Sequence, residues 1–179
     1  MRHICLLACM ILFPVAALAG PSDFQTGPVI DGFGPKAVVA EAQTLPDDIS
    51  FKVAFDTAKA SEGDALNRTL ESAARFLNMH AAAGVDPENI RLAVVTHGGA
   101  AFDMLHAEAY ADRHEGRTNP NVALIAALTD RNVRIILCGQ TAAYRDIAKD
   151  DLLPGVELAL SAMTAHAQLQ QDGYTLNPF

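Results

Sequence analysis

Cys138 is the residue around which thiol chemistry could be built. It ends the run Arg134, Ile135, Ile136, Leu137 and is followed by Gly139, Gln140 and Thr141. A short apolar run reaching a cysteine and then a glycine reads as a buried strand that emerges at its carboxyl end into a tight turn before a helix. In open α/β sheets that end of the strand faces the crevice where ligands and reacting groups gather. A free thiol, with a pKa of about 8.5, is mostly protonated at neutral pH and is nucleophilic only as the thiolate. A helix starting just after Cys138 would aim unpaired amides and the positive end of its dipole at the sulfur, favouring the thiolate. Gly139 would ease the approach of a second sulfur, while Gln140 and Thr141 supply donors. The competing reading is a buried cysteine acting as a small apolar side chain.

His97 ends a second apolar run and is followed by Gly98 and Gly99, whose backbone could form an anion-receiving nest. If the strands that carry them are neighbours, His97 and Cys138 share one crevice, and the imidazole could hold a thiolate or shuttle its proton. The alternative is a histidine bonded to loop carbonyls. His80, His106, His114 and His166 fall within or beside expected helices. They form no helical i, i+4 histidine pair and no Cys-x-x-Cys set, so no metal site is expected. No phosphate-loop, dinucleotide or Gly-x-Ser-x-Gly signature occurs, so no nucleotide cofactor and no serine nucleophile is expected.

The elements that must position these residues follow a leader and an arm. Arg2 and His3 precede an apolar run from Ile4 to Leu18, which closes in Ala17, Leu18 and Ala19. This is the pattern of a secretory signal peptide cut after Ala19, which would place the protein in the periplasm or outside the cell. Cys5 and Cys9 would leave with it, so Cys138 would be the only thiol of the exported chain. An odd cysteine in an oxidising compartment points to an intermolecular bridge or a reactive thiol. The formal charge of −8, with 21 acidic residues against 13 basic ones, argues against nucleic acid and anionic membrane surfaces as partners. No later segment approaches the roughly 20 apolar residues of a membrane span.

Residues 20–48 are dense in glycine and proline, which predicts an extended arm before a single α/β domain over 49–179. The arm's Phe24, Val29, Ile30 and Phe33 are expected to lie across an adjacent subunit, and deleting residues 20–46 to lower the oligomer mass.

Ser50 to Phe55 alternates as a first strand, with Asp56 to Gly63 as a polar loop. A helix from Asp64 buries Leu66, Leu70, Ala73, Leu77 and Ala81 and stops at Gly84. Ile90 to Thr96 is a second strand, apolar on both faces, as a covered parallel sheet requires. One helix is expected from Ala100 to His114, and another, capped by Asn119 with Pro120 in its first turn, to about Arg131. Val133 to Leu137 is the third strand, and a helix follows from about Thr141 to Ala148. Val156 to Leu160 is a short strand, Ser161 caps a helix to about Asp172, and Tyr174 to Leu176 ends the sheet. Strands alternating with helices in this way predict an α/β three-layer sandwich, with a mainly parallel sheet of about five strands and helices on both faces.

Four stretches, in this order and at this spacing, carry a family resemblance. They are Val94-Val95-Thr96-His97-Gly98, Asn119-Pro120-Asn121, Leu137-Cys138-Gly139-Gln140 and Leu169-Gln170-Gln171-Asp172-Gly173-Tyr174. The chain from Ile90 to Phe179, and more loosely from Ser50, resembles the DsrE/DsrF-like proteins. That resemblance implies a three-layer α/β fold and assembly into trimers or hexamers. It also implies a cysteine that carries sulfur as a persulfide between donor and acceptor proteins, which places Cys138 at the sulfur-bearing position and His97 on the same cleft. The best-understood members work in the cytoplasm, so an exported member departs from them. The expectation is a sulfur carrier rather than a turnover enzyme. Two readings compete with it: an oligomeric binding module with Cys138 as packing, and a thiol-redox protein that borrows a partner's resolving cysteine.

Overall fold

The computed structural model describes residues 20–178. The expected cleavage site after Ala19, with Cys5 and Cys9, lies outside them. Five strands form one sheet: β1 (Phe51–Thr57), β2 (Ile90–Thr96), β3 (Arg134–Cys138), β4 (Val156–Ala159) and β5 (Thr175–Asn177). Their spatial order is β4-β3-β2-β1-β5, and every neighbouring pair is parallel. All carboxyl ends therefore open on one edge, with β1, β2 and β3 side by side at the centre.

Strand period sorts the side chains between two cores. Val53, Phe55, Leu92, Val94, Ile135 and Leu137 point into the larger one. It is filled by α1 (Arg68–Ala82), by a 3₁₀ segment over Gly98–Met104, by α2 (Ala107–Arg113) and by α3 (Val122–Thr129). Ala54, Ala93, Val95 and Ile136 face the other way, against Ala165 and Leu169 of α5 (Ala162–Gln171). Asp56 is two residues beyond Ala54 and Cys138 two beyond Ile136, so both fall on the α5 side.

Local chemistry explains the element ends. The Asn67 side chain accepts from the backbone N–H groups of Thr69 and Leu70 and starts α1, which buries Leu70, Ala73, Ala74 and Leu77 at three- and four-residue spacing. Gly84, at φ +95°, closes it, with Gly84 N–H donating to Ala81 O and Val85 N–H to His80 O. The Ser161 hydroxyl caps α5 by accepting from Thr164 N–H.

Four elements depart from the sequence reading, the first being α1, which starts at Arg68 rather than Asp64 because Asn67 caps it there and leaves Leu66 outside. The helix expected over Ala100–His114 is divided. Asp103 is drawn inward to accept from the Ser61 backbone and hydroxyl and from Asn67 Nδ2, while Leu105 forms a β-bridge with Leu152. Both ties pull the chain off a helical path between the 3₁₀ segment and α2. Asn119 does not cap a helix: it is buried, and its Nδ2 donates to Asp103 O and Leu105 O, fastening that same break. The helix after Cys138, α4 (Gly139–Tyr144), begins earlier and ends sooner than expected, because Asp146 turns the chain at φ +53°.

The arm folds back on its own domain. Val29 and Ile30 are buried in the larger core, with Phe33 packed against it, and only Phe24 of the four remains half exposed. The fully buried Asn78 of α1 accepts at Oδ1 from Val29 N–H (3.1 Å) and Ile30 N–H (2.8 Å), and donates from Nδ2 to Ile30 O, Phe33 O and Gly34 O. The seat expected on a neighbouring subunit is thus supplied by α1 of the same chain. Gly34, at φ +60°, lies where a Cβ would strike the backbone of Ala74 and Arg75, so only glycine lets the arm sit this close.

Candidate functional site

At the carboxyl edge of the sheet a cleft of about 330 Å³ is lined by Asp56, His97, Cys138, Gln140, Thr141, Ser161, Ala162, Met163 and His166. Its members come from the ends of three adjacent strands, from the first turn of α4 and from the first two turns of α5 with its cap Ser161. Cys138 is only 6 % exposed. Its side chain nonetheless borders this open cleft.

Burial acts to raise the Cys138 thiol pKa. The Thr141 side chain and the backbone amides of Thr141, Ala162 and Gln140 are donors that favour the thiolate and outweigh burial, so the pKa lies below the ordinary thiol value. These donors belong to two helices, because α4 starts at the residue after the cysteine and α5 starts across the cleft. The thiol thus shares its cleft with the starts of both helices, where a helix leaves backbone amides unpaired.

Asp56 stands one strand beyond His97. Its Oδ2 is 3.0 Å from His97 Nε2 and its Oδ1 is 2.7 Å from His166 Nε2. Burial acts to raise this carboxyl, but the hydrogen bonds from His166 and His97, with their charge, hold its pKa below the usual aspartate value. His166 Nδ1 is buried and has no hydrogen-bond partner among the described residues.

Of the residues singled out in the sequence, Cys138, His97, Gln140 and Thr141 line this one cleft. The glycines play other parts. Gly98 N–H donates to Thr141 Oγ1 at 3.3 Å and Gly99 N–H to Ala58 O at 2.8 Å, so the anion nest expected there has already spent its donors. Gly139 makes room for β4 rather than for an incoming sulfur: a Cβ would collide with Ala159 O and press on Leu160 O.

Sequence reasoning missed Asp56 and His166. Two signals were available. Asp56 shares the facing of Ala54 at the end of an alternating strand, and His166 lies four residues after Ala162 and three before Leu169, on the face that α5 buries. Among the described residues no group of three or more histidine, cysteine, aspartate or glutamate side chains is arranged to hold a metal ion.

A parallel five-stranded sheet with helices on both faces, carrying at its carboxyl edge the one cysteine among the described residues, defines an α/β protein of the three-layer class. The chain belongs to the DsrE/DsrF-like family, whose model matches residues 51–178. That family is associated with sulfur relay in general. No curated protein matches the sequence. Two solved structures share the fold. A protein of unknown function from Methanobacterium thermoautotrophicum, MTH1491, is 18 % identical with a TM-score of 0.52, over 73 % of this chain and 100 % of that one. The ychN protein of E. coli is 20 % identical with a TM-score of 0.52, over 72 % of this chain and 99 % of that one.

Proposed function

We propose that this protein carries sulfane sulfur as a persulfide on Cys138, receiving it from one partner and passing it to another. The observation that carries this reading is a thiol that borders an open cleft between the starts of α4 and α5, with Gln140, Thr141 and Ala162 lining the same cleft and favouring the thiolate. Those donors stabilise negative charge on the sulfur, which is the form that attacks. They would equally stabilise the anion of a bound persulfide. The reaction needs no cofactor. We further propose that the chain is exported, on the pattern of its first 19 residues, and works in the periplasm or outside the cell as a homo-oligomer, a trimer or hexamer. Exposed apolar side chains, Met163 in the cleft and Leu158, Leu160 and Tyr144 on β4, the turn after it and α4, support association with another surface.

The test is mass spectrometry of Cys138 after exposure to a low-molecular-weight persulfide. The expected result is one added sulfur that a second thiol can remove. An unmodified Cys138, under conditions that load a control cysteine, overturns the reading.

The slight exposure of Cys138 favours a second reading, an interaction module in which the thiol is packing. In that case Cys138→Ser would bind its partners as well as the parent does.

A further inference from the structure

We propose that His97 carries the proton displaced when sulfur moves on to Cys138, and that Asp56 and His166 are the positioning residues that fix its tautomer and direction; this rests on the sulfur-carrying reading above. The geometry is that of one carboxylate shared between two imidazoles in the cleft that holds the thiol. An ionised carboxylate can only accept hydrogen bonds, so each imidazole meets Asp56 with a hydrogen on Nε2. In His97 this leaves Nδ1 as the nitrogen able to take and release a proton, and Nδ1 makes no hydrogen bond to a described residue. The same division of labour, a carboxylate orienting an imidazole that serves a nucleophile, recurs on unrelated folds.

His166 has a different part. Its Nδ1 is enclosed and partnerless, so a second proton there would find no acceptor. What it does is hold Asp56 Oδ1 at 2.7 Å, which leaves Oδ2 aimed at the more exposed His97. The titratable groups facing the cleft are Asp56 from β1, His97 after β2, Cys138 from β3 and His166 from α5. No lysine, arginine or glutamate is among the described residues that line it.

In the transfer, His97 takes the proton of the Cys138 thiol, and the thiolate attacks the outer sulfur of a persulfide R–S–SH. The bond from Cys138 Sγ to that sulfur forms as the donor's S–S bond breaks, and the electron pair leaves on R–S⁻. His97 then returns its proton to R–S⁻, giving R–SH. One sulfur changes its attachment, and no outside oxidant or reductant is needed.

The experiment uses the purified chain with an alkyl persulfide, following sulfur uptake at Cys138 between about pH 5 and 9. Iodoacetamide alkylation of the same thiol runs in parallel, since its leaving iodide needs no proton. Asp56→Asn and His166→Ala are expected to slow sulfur uptake about tenfold or more. Alkylation, which shares the first proton removal but needs no protonation of its leaving group, should slow less than uptake does, and His166→Gln, which keeps a donor for Asp56, should recover most of the rate. Histidine NMR of the parent should show the Nε2–H tautomer at His97, lost in Asp56→Asn. Parent-like uptake and pH profile in Asp56→Asn overturns the proposal. So does a mixed tautomer at His97 in the parent. A parent that takes up no sulfur while its His97 tautomer is fixed by Asp56 instead overturns the carrier reading and the proton step, leaving the positioning intact.

Discussion

Asp56 Oδ1 and His166 Nε2, 110 residues apart in the chain, meet at 2.7 Å across the cleft and tie the end of β1 to α5. Because folding lowers the Asp56 pKa from its ordinary value of 3.8, the folded state favours the ionised carboxylate. The sign follows from linkage: this contribution is present above the unfolded value and disappears as pH falls through the lower folded value. Thermal unfolding of the parent should therefore lose midpoint temperature more steeply than Asp56→Asn as pH is lowered from about 5 to 3. Parallel slopes for the two proteins would show that the bridge does not contribute.

Asn78 is the latch of the amino-terminal arm. It is fully buried, and both ends of its amide are committed to arm backbone. Asn78→Leu leaves the Val29 and Ile30 N–H groups and the Gly34 carbonyl without a partner, and Phe33 O at the edge, while Ile30 O keeps Gly27 N–H; each buried unsatisfied group costs about 1–3 kcal/mol, so a total loss of about 3 kcal/mol or more is expected after partial relaxation. Urea unfolding measures that loss. Hydrogen exchange should show Val29 and Ile30 amides opening while the amides of β2 stay protected. Equal protection of the arm in parent and variant would mean that its apolar residues, rather than Asn78, hold it.

Thr141 serves the thiol through its side chain and receives Gly98 N–H on its hydroxyl oxygen. Thr141→Val keeps the shape and removes both. The Cys138 pKa should rise, because burial then faces fewer opposing donors, and the midpoint of the alkylation rate against pH should move up by about half a unit or more. Peptide mapping assigns the label to Cys138. Thr141→Ser should restore the parent profile. An unmoved midpoint in Thr141→Val would assign the lowered pKa to the amides alone.

The parts of this protein that sequence made legible are those governed by nearest neighbours. β2 runs from Ile90 to Thr96 around the apolar run Leu92 to Val95, and the Cys138 turn follows from a strand meeting glycine. What escaped depends on contacts that no local window contains. The break before α2 comes from Leu105 bridging to Leu152, and the place of Asn119 comes from the carbonyls of that break. The Asp56–His166 contact exists because the strand order places β1 one strand from β2 while α5 crosses back over the sheet. The apolar arm residues suggested a missing partner surface, and α1 proved to be that surface because a polar residue, Asn78, occupies a position on its buried face.

Gly139 offers the sharpest test of how β4 and the thiol depend on each other. Its backbone is not in the left-handed region, so alanine is acceptable to the chain itself, and the obstacle is Ala159 O on the neighbouring strand. Relieving that collision must move the end of β4, which pairs Ala159 with Cys138 and leads into Ser161 and the Ala162 amide at the sulfur. Gly139→Ala should cost about 2 kcal/mol by overpacking. It should also raise the thiol pKa, because the Ala162 donor recedes. Gly63→Ala is the control: its φ of +58° makes alanine strained there, but nothing lies within 4 Å of the added carbon, so stability should fall by about 1 kcal/mol with Cys138 unchanged. Urea unfolding and the pH profile of Cys138 alkylation read the two effects separately. A Gly139→Ala protein that is destabilised yet keeps the parent alkylation profile would show that the thiol does not depend on the end of β4.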